Sequence, residues 1–527
     1  MGATCLFFAG HEPPADRVQA LARWYGEAGV ELVAVRERSS AWWLEPPPDK
    51  LSDGLLDATA PALRGLRTGL VTAARGERVR LVTGPCGPTS LYRADGVFAT
   101  HAVAAAYLAR GRARIDPAAL PEIERLGYVG GDRSLIAGVT PVGPATCIDA
   151  GADGVAVWDY WPAAERWAPV ASRAAGAHVT AALLSSLEER LRGVAEPWLG
   201  LTAGLDSQVV AAAAAELGLP VRTFTWALEA ADSEGGAALA ARLGLPHAAL
   251  EPNWLGWDEG LALIDREVRF NEGLGNANAF GAATWPEPLS AFVTGGGGEV
   301  GRAFWWRRVG RNHAEPSPAQ ACDALLAPTA DQALREHVLA QLEALAAAGV
   351  RGWSLLDVLY AEQRLARWGR GMVSREAPST IAAFADAEIL RGLASLPRQA
   401  RLSDGFHRGF LRERGLAVAP APRVQRRGVP APARRLAARR RRARPRPAVR
   451  SGWAGQLSAR PGYAEWLRDG VLGHPAVVAA FGADWAERAR AEFESHASVE
   501  AALTLSGPVA LAAALERLGP GVSGPRG

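Results

Sequence analysis

One acid and two hydroxyls stand together in Leu199-Gly200-Leu201-Thr202-Ala203-Gly204-Leu205-Asp206-Ser207, between a short apolar strand and an Ala-rich helix predicted over Val209 to Leu217. A strand that turns directly into a helix leaves backbone N–H groups without intrahelical acceptors, aimed at whatever anion lies before the helix. Ala203 and Gly204 are small enough for a phosphate to approach the main chain. Asp206 can hold a Mg²⁺ ion that neutralises phosphate charge. The stretch reads as a pyrophosphate cradle. A second candidate is Phe292-Val293-Thr294-Gly295-Gly296-Gly297-Gly298-Glu299, a strand running into glycines and then an acid. Ligands of a parallel sheet bind at the carboxyl ends of its strands, so the second turn is expected beside the first. Glu299 and Asp206 would then converge on one metal ion. Alone, either turn reads equally as an N-cap aspartate or a plain glycine loop. Together they point to a Mg-nucleotide site.

These turns need a frame, and the surrounding pattern supplies one. Leu199–Leu201, Val221–Trp226, His247–Leu250 and Ala291–Thr294 read as strands, with helices over Val209–Leu217 and Gly235–Leu243 between them. Such alternation argues for a parallel α/β sheet. An amphipathic helix over Ala177–Arg192 precedes it, and residues 320–415 read as mostly helical. Residues 1–160 look different: β-rich, with strands at Arg78–Val82 and Gly96–Ala99 and a helix over Ala102–Arg110. Residues 423–450 hold twelve arginines in 28 positions with several prolines, and read as a solvated low-complexity insertion. Without interleaved aromatics, this run is not expected to read RNA sequence, and no nucleic-acid partner is expected. Helical pattern resumes from Tyr463 to Leu518.

The 527 residues suffice for two or three domains, and a net charge of +3 says little about partners. Lys50 is the only lysine, so chemistry that needs a lysine further on falls to another residue. Cys5, Cys86, Cys147 and Cys322 form no metal-spaced pair, which fits a reducing cytoplasm. The apolar start lacks the basic region of a signal peptide, and no run of about 18 apolar residues predicts a membrane span.

Thr202-Ala203-Gly204-Leu205-Asp206-Ser207 resembles the Ser-Gly-Gly-Leu-Asp-Ser motif of the asparagine synthetase family, whose members adenylate a carboxylate and release pyrophosphate. Thr294–Glu299 resembles that family's second glycine–acid motif. Asp232–His247 is similar to the helix and Leu-Gly-x-x-His segment after its second strand, and Ile381–Asp386 to its Val-Pro-Phe-Leu-Asp segment. Arg80–Gly87 is similar to the Ala-Arg-Asp-Pro-x-Gly strand of the family's N-terminal half, and Leu126–Val129 with Ser134–Pro144 to the junction that follows. The likeness spans roughly residues 75–415. It implies ATP, Mg²⁺ and amide-bond formation through an acyl-adenylate.

The departures carry information too. Glutamine-dependent members begin Met-Cys-Gly; here residue 2 is Gly2 and Cys5 lies inside the chain, so glutaminase activity is not expected. Thr202 and Ala203 replace a serine and a glycine of the motif. Gly296 stands where the family has a glutamate, and Val300 where an acid follows. Arg408, in Phe406–Glu413, falls at the position of the family's lysine. A guanidinium can offset phosphate charge but does not readily give up a proton.

The fold class expected is therefore α/β. Residues 1–165 would form an N-terminal-nucleophile-like β-rich domain without its nucleophilic cysteine. Residues 175–527 would form a parallel ATP-pyrophosphatase (adenine nucleotide α-hydrolase-like) domain ending in helices and carrying the 423–450 insertion. The resemblance implies a ligase joining a carboxylate to ammonia or a substrate amine. Metal ligands would be Asp206 and Glu299. Nucleotide and pyrophosphate contacts would come from Thr202, Ala203, Gly204, Leu205, Asp206, Ser207, Thr225, Gly295 and Gly297, with Arg408 stabilising transition-state charge. The substrate would be a small-molecule or peptide carboxylate, with macrolactam closure of a precursor peptide or β-lactam type as the alternative use. A nucleotide- or peptide-binding protein with weakened catalysis is the reading from another class. Phe304-Trp305-Trp306-Arg307-Arg308 reads first as aromatic packing with solvated arginines, and second as a substrate wall in which Arg302 or Arg307 grips an anion. Phe224-Thr225-Trp226 reads equally as an adenine-pocket edge or as strand core, and His247 as a structural histidine.

Overall fold

In a computed structural model the described residues are 3–9, 12–35, 54–66, 69–75, 77–87, 90–227, 230–251, 254–274, 289–306, 315–326, 330–369, 377, 379–416, 460 and 462–519. The Arg-rich run at 423–450 and Arg307 lie outside them. The fold is mixed α/β, with parallel and antiparallel sheets.

Two sheets come from the N-terminal part. The apolar run Ala3–Ala9 (β1) pairs parallel with Val30–Ala34 (β2) through the helix Ala15–Gly26. It also pairs antiparallel with Val97–Ala99 (β6), which continues through Tyr92–Ala94 (β5) to Thr140–Pro141 (β7). The second sheet is antiparallel throughout: Leu70–Arg75 (β3), Arg78–Thr83 (β4), Thr146–Gly151 (β8) and Gly154–Asp159 (β9). The strands expected at Arg78 and Gly96 and the helix at Ala102 all form.

The third sheet is wholly parallel. Its strands are Trp198–Gly200 (β10), Arg222–Trp226 (β11), His247–Leu250 (β12), Phe292–Thr294 (β13) and Thr380–Ala382 (β14). They are ordered β12-β11-β10-β13-β14, so the chain leaves β10 to one side for β11 and returns to its other side for β13. Loops after β10 and β13 therefore diverge at neighbouring strand ends, which opens the crevice where open α/β sheets bind ligands. After its polar first turn the helix Leu205–Glu216 is apolar on every face from Val209 to Ala215, with Val209, Ala211 and Ala213 fully buried, because it lies between the sheet and further helices.

The C-terminal helices pack into the core of the first sheet's region. Tyr463, Leu467, Leu505 and Leu511 share one core with Cys5, Phe7 and the helix Ala102–Arg110. Trp24 Nε1 donates to Ala514 O at 3.0 Å. The tail thus closes the core of the first sheet. Within His496–Leu518 lies a stretch long and apolar enough, by length and composition, to cross a membrane, but 67% of its apolar window is buried inside the protein.

Residues 128–133 tie the first sheet's region to the parallel one. Arg367 donates to Val129 O and Gly131 O, and Gly131 N donates to Gln363 Oε1. Beneath them Glu122 is fully buried; it accepts from Gly130 N at 2.8 Å, and its other oxygen lies 3.6–3.7 Å from His337 and Arg133. Burial outweighs these partners and holds its carboxyl above the ordinary 4.5. A raised acid binds protons more tightly folded than unfolded, so its ionisation removes stability as pH rises through 4.5 to the folded value. Glu122→Gln should gain on wild type as pH rises from 4 to 8, by about 1 kcal/mol, measured by urea unfolding at each pH. A gap that stays flat across that range would overturn the assignment.

Candidate active site

The β10 turn is held by its own hydroxyls. Thr202 N donates to Ser207 Oγ at 3.2 Å, Gly204 N to Thr202 Oγ1 at 3.0 Å, and Ser207 Oγ to Gly204 O at 3.0 Å. Ala203 N is met by a carboxylate, Asp232 Oδ1, at 3.0 Å. The cradle is thus preformed, and one of its amides already faces an anion belonging to the chain. The remaining donors are those of the first turn, from Leu205 to Ser207, which a helix cannot satisfy internally.

The glycine turn after β13 presses against that helix start. A Cβ on Gly295 would fall 2.9 Å from Ser207 N and Asp206 C, and one on Gly298 would fall 2.5 Å from Asp206 Oδ1. Gly297, at φ +97°, would meet the main chain of Phe384 at 2.9 Å. Close approach to two backbones is what these glycines provide. The turn is clamped from behind by Arg401, which donates twice to Val300 O and pairs with buried Asp357. On its other flank Phe384 N donates to Gly296 O. Gly298→Ala should push Asp206 aside and cost about 2 kcal/mol in chemical denaturation, whereas an unchanged midpoint would mean that the turn relaxes freely.

Asp206 and Glu299 interact electrostatically across the crevice, and their carboxyls are driven in opposite directions. Burial pushes Asp206 up, but His407 and Arg302 more than offset it, so it titrates below the ordinary range. Burial and then the charge of Asp206 raise Glu299, against the Tyr360 hydroxyl beside it.

Around Asp206 is a set of partners that the sequence does not assign to it, where Arg302 reads only as a possible grip on an anion. Arg302 Nη1 lies 2.8 Å from Asp206 Oδ2 and its Nε 3.1 Å from Asp404 Oδ1. Those two carboxylates hold the guanidinium above its usual range despite burial. His407, fully buried, places Nε2 2.9 Å from Asp206 Oδ1 without hydrogen-bond alignment. Asp404 sits at φ +58°, a left-handed conformation at the start of the helix Gly405–Glu413 that delivers His407. Strained non-glycine backbone of this kind gathers at functional sites.

Arg408 is on the same helix but farther out, half-buried and 3.9 Å from Asp404. The Thr225 hydroxyl donates to Leu201 O and is spent inside the sheet. His247 lies on β12 with Nδ1 2.9 Å from Thr223 Oγ1, while its buried Nε2 has no hydrogen-bond partner. Trp305 and Trp306 are packing residues, whereas Phe304 is 39% exposed.

Asp206 Oδ1 and Glu299 Oε2 are buried oxygens with no hydrogen-bond partner. Two such hard oxygens on facing turns fit a divalent cation such as Mg²⁺. Among the described residues there is no group of three or more His, Cys, Asp or Glu that could hold a metal, so further ligands would come from phosphate or water. No protein-family model matches the chain, and no curated protein matches it.

Proposed function

We propose that this chain is an asparagine synthetase-like ligase that activates a carboxylate with ATP and joins it to ammonia or a substrate amine. The observation that carries this reading is the strand order, which sets the Thr202–Ser207 and Gly295–Glu299 turns at neighbouring carboxyl ends, where the charge of Asp206 acts on Glu299. On this reading residues 1–165 are an N-terminal-nucleophile-like scaffold, and the parallel sheet is the ATP-pyrophosphatase unit. Cys5 is fully buried on β1, which leaves its thiol no access to glutamine.

An oxygen of the substrate carboxylate attacks the α-phosphorus of ATP, and the bond to the bridging oxygen breaks to release pyrophosphate. The nitrogen nucleophile then displaces AMP from the acyl carbon and loses a proton to solvent. Leu205, Asp206 and Ser207 would offer first-turn amides to pyrophosphate, on a turn held in shape by Thr202, Ala203 and Gly204, with Gly295 and Gly297 letting the second turn approach that helix start and Thr225 fixing the strand end beneath. Asp206 and Glu299 would hold Mg²⁺, which when bound neutralises charge on the polyphosphate. Arg408 offsets charge on the leaving pyrophosphate and cannot act as its proton donor.

The test is ATP–pyrophosphate exchange with aspartate and with candidate precursor peptides. Exchange with a peptide alone would assign macrolactam closure. No exchange with any carboxylate, together with no Mg-ATP binding, would sink the ligase reading. A second reading, a binding protein with weakened catalysis, is favoured by one observation: Arg302, His407 and Asp232 already engage Asp206 and Ala203 N. Mg-ATP binding without exchange would select it.

A further inference from the structure

Beside Glu299 the helix Ser354–Val358 runs into a π-helical turn, Leu359–Arg364. Such turns are rare and gather at functional sites. This one carries Tyr360 and Arg364 to the same aromatic wall. The guanidinium carbon of Arg364 lies 5.5 Å from the Phe304 ring centre, 5.4 Å from Tyr360 and 4.1 Å from Trp368. Tyr360 in turn packs edge-on to Phe304 and Trp305, at 5.8 and 5.5 Å. Among the described residues Arg364 has ring contacts but no hydrogen bond or close ion pair, and its charge acts at longer range on Glu299 and Tyr360.

That is an unusual state for a guanidinium in a carboxylate-rich site. Arg302, Arg401 and Arg408 all lie within ion-pair distance of aspartates. Stacking on rings satisfies the faces of Arg364 and leaves its planar edge of donors unspent. The neighbouring hydroxyls are buried too. That of Tyr360 lies against the Glu299 carboxyl, and that of Tyr128, behind Trp305, completes no hydrogen bond. Phe304, exposed to 39%, opens this wall to solvent.

We propose that Arg364, Tyr360 and Phe304 form the seat of a carboxylate-bearing substrate, with Arg364 binding the carboxylate edge-on and Phe304 covering the attached carbon frame. A guanidinium fork takes either a carboxylate or a phosphate, and the aromatic rings beside it favour a carboxylate attached to a flat carbon frame over inorganic pyrophosphate. The seat adjoins Glu299, so a carboxylate held there lies next to the turn assigned to the nucleotide. The proposal rests on the ligase reading for what becomes of the substrate, but not for its binding.

The experiment titrates the full chain without ATP, by ligand-observed NMR, with benzoate, methyl benzoate and inorganic pyrophosphate. Wild type should bind benzoate and not its ester. Arg364→Gln should weaken benzoate at least about tenfold and Arg364→Lys less, since lysine keeps charge but loses the fork. Phe304→Ala should weaken it too, and its exposure makes misfolding no obstacle; if Arg364→Gln fails to fold by circular dichroism, Arg364→Lys and Phe304→Ala decide. Equal binding of acid and ester, wild-type affinity in both of those variants, or displacement of benzoate by pyrophosphate would overturn the proposal. Mg-ATP binding is measured on the same samples. Benzoate bound through Arg364 in a chain that binds no Mg-ATP leaves this seat standing and removes the ligase reading.

Discussion

Asp206→Asn should abolish pyrophosphate exchange, by about a thousandfold or more, and should also unfold the chain more easily by about 3 kcal/mol. The two losses have separate origins. On the ligase reading, exchange would fail because a neutral amide would not hold a divalent cation against the polyphosphate. Stability falls because Asp206 is the hub of an ion-pair chain, in contact with Arg302 at 2.8 Å and His407 at 2.9 Å. Removing one partner of a largely buried pair leaves the other charged and unpaired. The sign with pH follows. The folded carboxyl titrates below the ordinary 3.8, so its contribution is present above that value and is lost as pH falls through the folded value. The gap between wild type and Asp206→Asn should therefore be full at neutral pH and close in strong acid, as followed by urea unfolding. A double-mutant cycle with Arg302→Gln should return about 1–3 kcal/mol of coupling at neutral pH. A cycle that sums to zero would remove Arg302 as a partner of Asp206, whatever happens to exchange.

Parts of this arrangement are written locally and parts are not. The strand Trp198–Gly200, its small-residue turn and the apolar helix behind it are legible because each depends on neighbours in sequence. The same holds for His247–Leu250, which forms with the bounds expected. By contrast β14 is three residues, Thr380–Ala382, in an otherwise helical stretch, too short for alternation to show. The order of the parallel strands is a tertiary choice, although once β11 and β13 take opposite sides of β10 the crevice follows. The partners of Asp206 were missed for a related reason. Arg302 is 96 residues away, and nothing around it distinguishes a solvated arginine from a clamp. His407 lies within the Phe406–Glu413 segment, one position before Arg408, which replaces the family's lysine and so carries the more visible signal. The signal that would have found His407 is the helix itself. A histidine between apolar Phe406 and Phe410 faces inward and needs a buried partner. The docking of Tyr463–Leu518 on the first sheet was equally hidden, since an apolar stripe announces burial without naming the surface that covers it.

Glu299→Gln should separate function from stability in the opposite direction to Asp206→Asn. Glu299 is raised by burial and by Asp206, so the folded protein carries its ionisation at a cost. An acid held above its ordinary 4.5 subtracts stability as pH climbs through 4.5 to the folded value, and a glutamine of the same shape removes that subtraction. Glu299→Gln should thus melt higher than wild type at neutral pH, by the order of 1 kcal/mol, and match it well below pH 4. Pyrophosphate exchange should fall about a hundredfold or more, because the second hard oxygen ligand is gone. Saturating Mg-ATP should then invert the ranking of melting temperatures, stabilising wild type and leaving the variant little changed, since only a ligand bound by the folded state raises stability. An acid that weakens the fold when empty and is needed when the ligand is bound belongs to a binding site, because folding alone would favour glutamine there. If the variant instead melts lower at every pH, Glu299 is a structural partner of Tyr360, and the two-acid site loses its second member.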